Sequence, residues 1–162
     1  MRLFLLSILF LFSFYTAHAS EIEAGALNIS GMKELSKGNP DRAGEFFKMA
    51  LKLDPMQRRY YNNLAVSLMK RSRYNEAEQY LLVSISMDPN YSKALANMAV
   101  LLFHQRRYIE SYRYYLRSKS SDPLYADERF KRERVVRKLK DISAGNPGDD
   151  DIKWILEYLE KN

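Results

Sequence analysis

Apolar side chains recur along the chain at helical spacing, in short stretches punctuated by polar turns. Residues 41–53 show the pattern most plainly, with Ala43, Phe46, Phe47, Ala50, Leu51 and Leu53 repeating at intervals of three and four. The same reading predicts helices over about 20–37, 57–71, 74–87, 91–105 and 108–120, joined by connections short enough to make neighbours antiparallel. Gly38-Asn39-Pro40-Asp41 reads as a turn, with Pro40 at a helix start where its missing N–H is harmless. Residues 126–142 are strongly charged yet carry Phe130, Val135, Val136, Leu139 and Ile142, which predicts one further amphipathic helix. After a loop at 143–148, Asp149, Asp150 and Asp151 favour a last helix start through the macrodipole. Ile152, Ile155, Leu156 and Leu159 then share one face.

The helical pattern is itself periodic. Asp54-Pro55, Asp88-Pro89 and Asp122-Pro123 stand 34 residues apart, and each ends a helix, because the proline ring disfavours helical geometry in the residue before it. The same shift relates Asn63 to Asn97, Ala65 to Ala99, Val66 to Val100, Leu68 to Leu102, Arg73 to Arg107, Tyr74 to Tyr108, Glu76 to Glu110 and Tyr91 to Tyr125. Two amphipathic segments per period, closed by Asp-Pro, resemble the tetratricopeptide repeat (TPR) family. Leu64, Ala65, Ala77 and Pro89 match the motif in the second repeat, with Tyr61 as its aromatic. Gly31, Ala43, Phe47, Ala50 and Pro55 match in the first, where Glu34 replaces the usual Tyr; the third keeps Ala99 and Pro123. The resemblance implies an all-α fold, a right-handed superhelical solenoid of three helix-turn-helix repeats at 24–57, 58–91 and 92–125. Residues 126–142 and 149–161 would then be capping helices, since a terminal repeat otherwise exposes its stacking face. Gly145-Asn146-Pro147 echoes Gly38-Asn39-Pro40, so the last pair also reads as a degenerate fourth repeat.

Small residues sit where such hairpins need them. Gly31, Ala65 and Ala99 each precede Ala43, Ala77 and Ser111 by twelve positions, which places each pair at a helix crossing. Small side chains allow interaxial distances of about 8–10 Å there.

The first residues read differently. Met1-Arg2 followed by apolar Leu3 to Tyr15 and by Ala17-His18-Ala19 has the organisation of a secretory signal peptide over 1–19. Its apolar run is short for a membrane span, which needs about 20 residues, and an uncleaved membrane anchor is the alternative. The chain has no cysteine, which excludes disulfides, thiolate metal sites and a lipidated cysteine. Export without disulfide staples fits a bacterial periplasm.

The formal charge is +6 and unevenly spread. Residues 58–125 hold eleven Lys and Arg against five Asp and Glu, so a basic centre is available to acidic partners, unless it is simply a solvated face. Catalytic constellations are missing from the sequence. Beyond His18 the only histidine is His104, and no nucleophile elbow, phosphate loop or zinc motif accompanies it. The Asp149–Asp151 run lacks EF-hand spacing, and helix capping is the favoured role. Ten of the twelve tyrosines fall within 60–125. Tyr74 and Tyr108 read as packing residues, and Tyr112, Tyr114 and Tyr115 as reaching solvent or the capping helix. Base stacking beside arginine is disfavoured because no nucleic-acid-binding fold marker goes with it.

What remains is a surface for another polypeptide. In TPR proteins the first helix of each repeat lines the concave side, which here implies a groove displaying Asn28, Arg59, Asn62, Asn63, Val66, Met69, Lys70, Lys93, Asn97, Val100, Phe103 and His104, with Met32 and Leu35 beside them. Some family members clamp a partner's C-terminal carboxylate; only Asn63 and Lys93 match that set, with Asn28, Met32 and Asn97 in its other positions. The expectation is therefore looser. It is a non-catalytic, cofactor-free adaptor or scaffold of the cell envelope that binds an extended or helical, acidic protein segment, with membrane proximity in reach and no nucleic acid or small-molecule substrate. Alternatives within the class are an accessory factor for a pilus or secretion machine and a chaperone-like subunit of an envelope enzyme or transporter.

Overall fold

The computed structural model describes residues 2–161, with side chains from His18 onward. Nine α-helices account for its regular structure among those residues: α1 (Arg2–Ser36), α2 (Pro40–Leu53), α3 (Arg58–Lys70), α4 (Tyr74–Met87), α5 (Ser92–His104), α6 (Tyr108–Ser121), α7 (Pro123–Arg129), α8 (Arg132–Gly145) and α9 (Asp150–Lys161). The fold is all-α, as the sequence pattern predicts, and α2 to α6 begin and end within a residue or so of expectation. The chain divides into two compact units, Met1–Tyr80 and Leu81–Asn162.

In the first unit, α1 and α2 form a hairpin against which α3 packs. The crossing is as close as the sequence implies. A Cβ at Gly31 would stand 2.5 Å from Phe47 Cε1, so only glycine admits the fully buried Phe47 ring there. Ala43, Ala65 and Ala77 have no exposed surface. A smaller cluster of Ala24, Ala50 and Tyr60 seals the far end of the hairpin, with Leu27, Leu51 and Leu53 around it. In the second unit α5 and α6 form the equivalent hairpin. Here Ser111 replaces alanine, and its Oγ donates to the Ala99 carbonyl at 2.7 Å, so the polar atom is satisfied inside the crossing. Ser92 and Ser118 play the same part lower down, their hydroxyls 2.9 Å apart and buried.

The turns inside the hairpins repeat in backbone detail. Gly38, Ser72 and Arg106 all have positive φ, at 81°, 58° and 63°. In each turn the N–H of that residue bonds to the carbonyl three before it, and the next N–H bonds to the carbonyl five before it: Asn39 to Glu34, Arg73 to Leu68 and Arg107 to Leu102, each at 2.9 Å. This is the Schellman ending of a helix, which satisfies carbonyls the helix leaves open. The first repeat uses glycine for it, and the other two hold L-residues in a left-handed conformation. Glu34, unusual for its repeat position, has a job in the first turn. Its buried carboxylate accepts from Lys37 Nζ at 2.8 Å and Asn39 Nδ2 at 2.9 Å, and these bonds hold its pKa below the usual carboxylate value.

Three expectations are corrected. The first helix starts at Arg2 rather than residue 20, so the backbone of residues 2–19 is part of α1; the side chains of 1–17, on which the signal reading rests, lie outside the described residues. The single helix predicted at 126–142 is two, broken at Phe130-Lys131, with α7 starting already at Pro123. The break has a cause in the repeat register. Arg129, Arg132 and Glu133 occupy the positions held by Leu95, Met98 and Ala99 one period earlier, and charged side chains cannot be buried there without partners. The loop predicted to begin at 143 begins at Asn146, because α8 runs on to Gly145.

Candidate functional site

The three predicted groove amides of the first unit bind one another. Asn63 Nδ2 donates to Asn28 Oδ1 at 2.8 Å, Asn62 Nδ2 donates to Asn63 Oδ1 at 3.1 Å, and Asn28 Nδ2 lies 3.7 Å from the Met32 sulfur. Asn28 and Asn62 are buried, while Asn63, Val66 and Met69 are half-buried or less. Arg59 and Lys70 stand at the surface; the Arg59 guanidinium lies 5.2 Å over the Tyr60 ring. The amides are thus a relay that reaches the surface only at Asn63.

The second unit holds a cavity that sequence reasoning missed. Val100 and Phe103 of α5 open onto a cleft of about 700 Å³, which continues past Tyr112, Tyr115 and Leu116 of α6 to Phe130, Val135 and Leu139, and is closed by Ile155, Tyr158 and Leu159 of α9. Its floor is aromatic. Tyr112 packs edge-on against Tyr158 and Trp154, with ring centroids 5.8 and 6.0 Å away, and Tyr115 stands edge-on to Phe130 at 5.3 Å. Burial pushes the Tyr112 hydroxyl up to about 12, helped by Tyr158 beside it. The expectation that Tyr112 and Tyr115 meet a capping helix is realised through α9 and the α7–α8 break; Tyr114 instead stacks under the Arg117 guanidinium at 5.0 Å.

The rim is cationic. Lys119, Arg129, Lys131, Arg132, Arg134 and Lys138 line the cleft against only Asp127 and Glu133. Three of the cations are engaged: Lys119 Nζ with Asp127 at 2.9 Å, Arg129 Nη2 donating to Asn97 Oδ1 at 2.7 Å, and Arg132 donating to the Leu159 carbonyl. Lys131, Arg134 and Lys138 are exposed. Of the other predicted residues, Asn97 is buried and committed in part to Arg129, whereas Lys93 and His104 are exposed and do not line the cleft. The signal that would have found the cleft was already in the sequence: the charged run Asp127 to Arg134 placed where the repeat needs small and apolar side chains.

Paired antiparallel helices at a 34-residue period, with Schellman turns and small crossing residues, define a TPR-like helical repeat protein. The family profile described as coatomer epsilon subunit matches residues 35–136, well over half of the chain, and the chain belongs to that family. No curated protein matches it. Among solved structures, the Arabidopsis OM64 TPR domain is similar with a TM-score of 0.65 and 20% identity over 72% of this chain and 98% of that one. The first TPR of Spaghetti (RPAP3) bound to the HSP90 peptide SRMEEVD gives 0.62 and 16%, over 87% and 93%. The Sgt2 TPR domain from Aspergillus fumigatus gives 0.60 and 19%, over 86% and 78%. At these identities the likeness is one of fold.

Proposed function

We propose that the chain is an exported, non-catalytic interaction module that holds a segment of another protein on the face carrying Val100 and Phe103. One observation carries the reading: on that face an apolar, aromatic cleft opens between exposed cations. A structurally similar domain is described with a bound peptide containing two glutamates, a valine and an aspartate at its end, and the family takes its name from a subunit of a larger assembly. Both support association with protein. A carboxylate clamp is disfavoured by this chain's own chemistry, since Asn28 and Asn97 stand where two of its cations would be needed, Met32 stands where an amide would be, and the Asn28 and Asn97 amide oxygens already accept from Asn63 and Arg129. Export and a periplasmic or membrane-anchored location rest on the organisation of residues 1–19 alone.

The test is site-specific. A photo-crosslinking residue in place of Phe103, in the full chain made by its own cells, gives a covalent adduct with a discrete protein, and the same probe at exposed Lys48 does not. Absence of an adduct at 103, or equal adducts at both, overturns the reading. N-terminal sequencing of the exported protein checks the targeting proposal, with Ser20 expected first; a chain that retains Met1 and fractionates with membranes selects the anchored alternative.

A further inference from the structure

We infer that the cleft of the second unit takes an acidic amphipathic helix from the partner, laid in the place that a further repeat's first helix would fill. The inference rests on the adaptor reading above and adds the chemistry of the occupant. In the first unit the helix following α2 is α3, 13 residues long and packed along it. In the second unit the helix following α6 is α7, and it stops after seven residues. Six residues fewer is about 9 Å less helix at 1.5 Å per residue. The cleft lies beside this shortfall, lined by Tyr112, Tyr115 and Leu116 of α6 and by Asp127 and Arg129 of α7.

Charge fixes the sign of the occupant. Exposed Lys131, Arg134 and Lys138 have no ion-pair partner among the described residues, and the rim as a whole is six cations to two carboxylates. The chain also contains an example of what suits this surface. α9 has Asp150 and Asp151 in its first turn and Glu157 and Glu160 beyond, buries Ile152 and Ile155, and packs against α6 and basic α8. Lys140 and Glu160 join α8 to α9 at 2.7 Å. A second helix of the same chemistry meets the same two ingredients across the cleft: apolar rings below and free cations at the edge. A second copy of the chain is a poorer occupant, because its one strongly acidic amphipathic helix is already docked and it brings a cationic rim of its own.

Trp154 is the sole tryptophan, half-exposed and 6.0 Å from both Tyr112 and Tyr158, so its fluorescence reports on the cleft. The probe is a tryptophan-free designed peptide of about four helical turns with leucine on one face and glutamate elsewhere. With the full chain it gives a saturable change in Trp154 emission that weakens as salt rises. In an Arg134→Glu, Lys138→Glu double variant, whose exposed changes leave the circular dichroism unchanged, the affinity falls by about tenfold or more. Equal binding of a scrambled peptide of the same composition, equal binding of a lysine version, or indifference to the double variant overturns the inference. So does saturation by a simple fatty acid anion without peptide binding, or dimerisation of the chain that the charge reversal abolishes. An adduct at position 103 together with failure of the peptide leaves the adaptor reading standing and removes only the acidic helix.

Discussion

Asp54-Pro55 and Asp122-Pro123 are the same dipeptide at the same place in the repeat, yet they launch different structures. Both end a helix: α2 stops at Leu53 and α6 at Ser121. After Asp54, whose Oδ1 accepts from Met56 N at 3.2 Å, the chain turns and α3 begins at Arg58. After Asp122, Pro123 is already the first helical residue, and Asp122 Oδ1 caps α7 by accepting from Tyr125 N at 3.0 Å. The dipeptide therefore sets where a helix stops but does not choose the element after it. That choice is made further along the chain, where Leu64 and Ala65 are buried in α3 while Arg132 and Glu133, at the same repeat positions, are exposed in α8. The regular repeats are held by close crossings. The irregular end is held by aromatic edges and ion pairs around an opening.

The strongest way to break this contrast is to remove one large ring from each region. Phe47 is fully buried, and Phe47→Ala is expected to cost about 3–5 kcal/mol through lost burial and a cavity. Phe130 is half-buried at the cleft edge with one edge contact to Tyr115, so Phe130→Ala is expected to cost only about 1 kcal/mol. Urea denaturation midpoints measure both. Equal losses would mean that the C-terminal end is packed as tightly as the repeats.

Gly31→Ala tests the crossing from the other direction. The added methyl meets three atoms of the Phe47 ring at 2.5, 2.8 and 2.9 Å, and overpacking of this kind costs about 1–3 kcal/mol. The same substitution at Gly145, where nothing lies within 4 Å of the Cβ position, should leave the midpoint within about 0.5 kcal/mol of the parent. A tolerated Gly31→Ala would show that the first hairpin is looser than its geometry.

Most of the repeat architecture was legible in the sequence, because each of its determinants is a local residue type recurring at one interval. Gly31, Ala65, Ala99 and the Asp-Pro pairs announce the crossings and helix ends without knowledge of any contact. The left-handed turns at Ser72 and Arg106 were not legible, since neither residue type signals a positive φ; only their register with Gly38 does. The binding face was half legible. Val100 and Phe103 follow from repeat position, but the cleft they open onto is made by Phe130, Leu139 and Tyr158 from helices outside the repeat. The pairings Asn28–Asn63 and Asn97–Arg129 join residues more than thirty apart in the chain, and no spacing rule predicts which amide turns inward.

Those two turns give a smaller, stabilising prediction that sharpens the likeness among repeats. Left-handed geometry costs an L-residue about 1–2 kcal/mol, part of which glycine returns as conformational entropy of the unfolded chain. Arg106→Gly should therefore raise stability by about 0.5–1 kcal/mol, read as a higher midpoint, whereas Gly38→Ala should lower it. A loss in Arg106→Gly would mean that the arginine side chain matters more than the turn it sits in.

The least effect at neutral pH, and the one confined to the irregular end, concerns Tyr112. Its ordinary value near 10 is raised to about 12, chiefly by burial, because the buried site disfavours the phenolate. A folded-state value above the unfolded one means that this contribution to stability is complete below about pH 10 and disappears as pH rises from there through about 12. Tyr112→Phe keeps the ring against Tyr158 and Trp154 and has no proton to lose, so its stability should fall less steeply over that interval, while the parent and the variant run parallel from pH 7 to 9. A Trp154 emission titration follows the same region directly. If the parent's alkaline transition proves as shallow as the variant's, water already reaches the Tyr112 hydroxyl, and the floor of the cleft is wetter than its lining of rings implies.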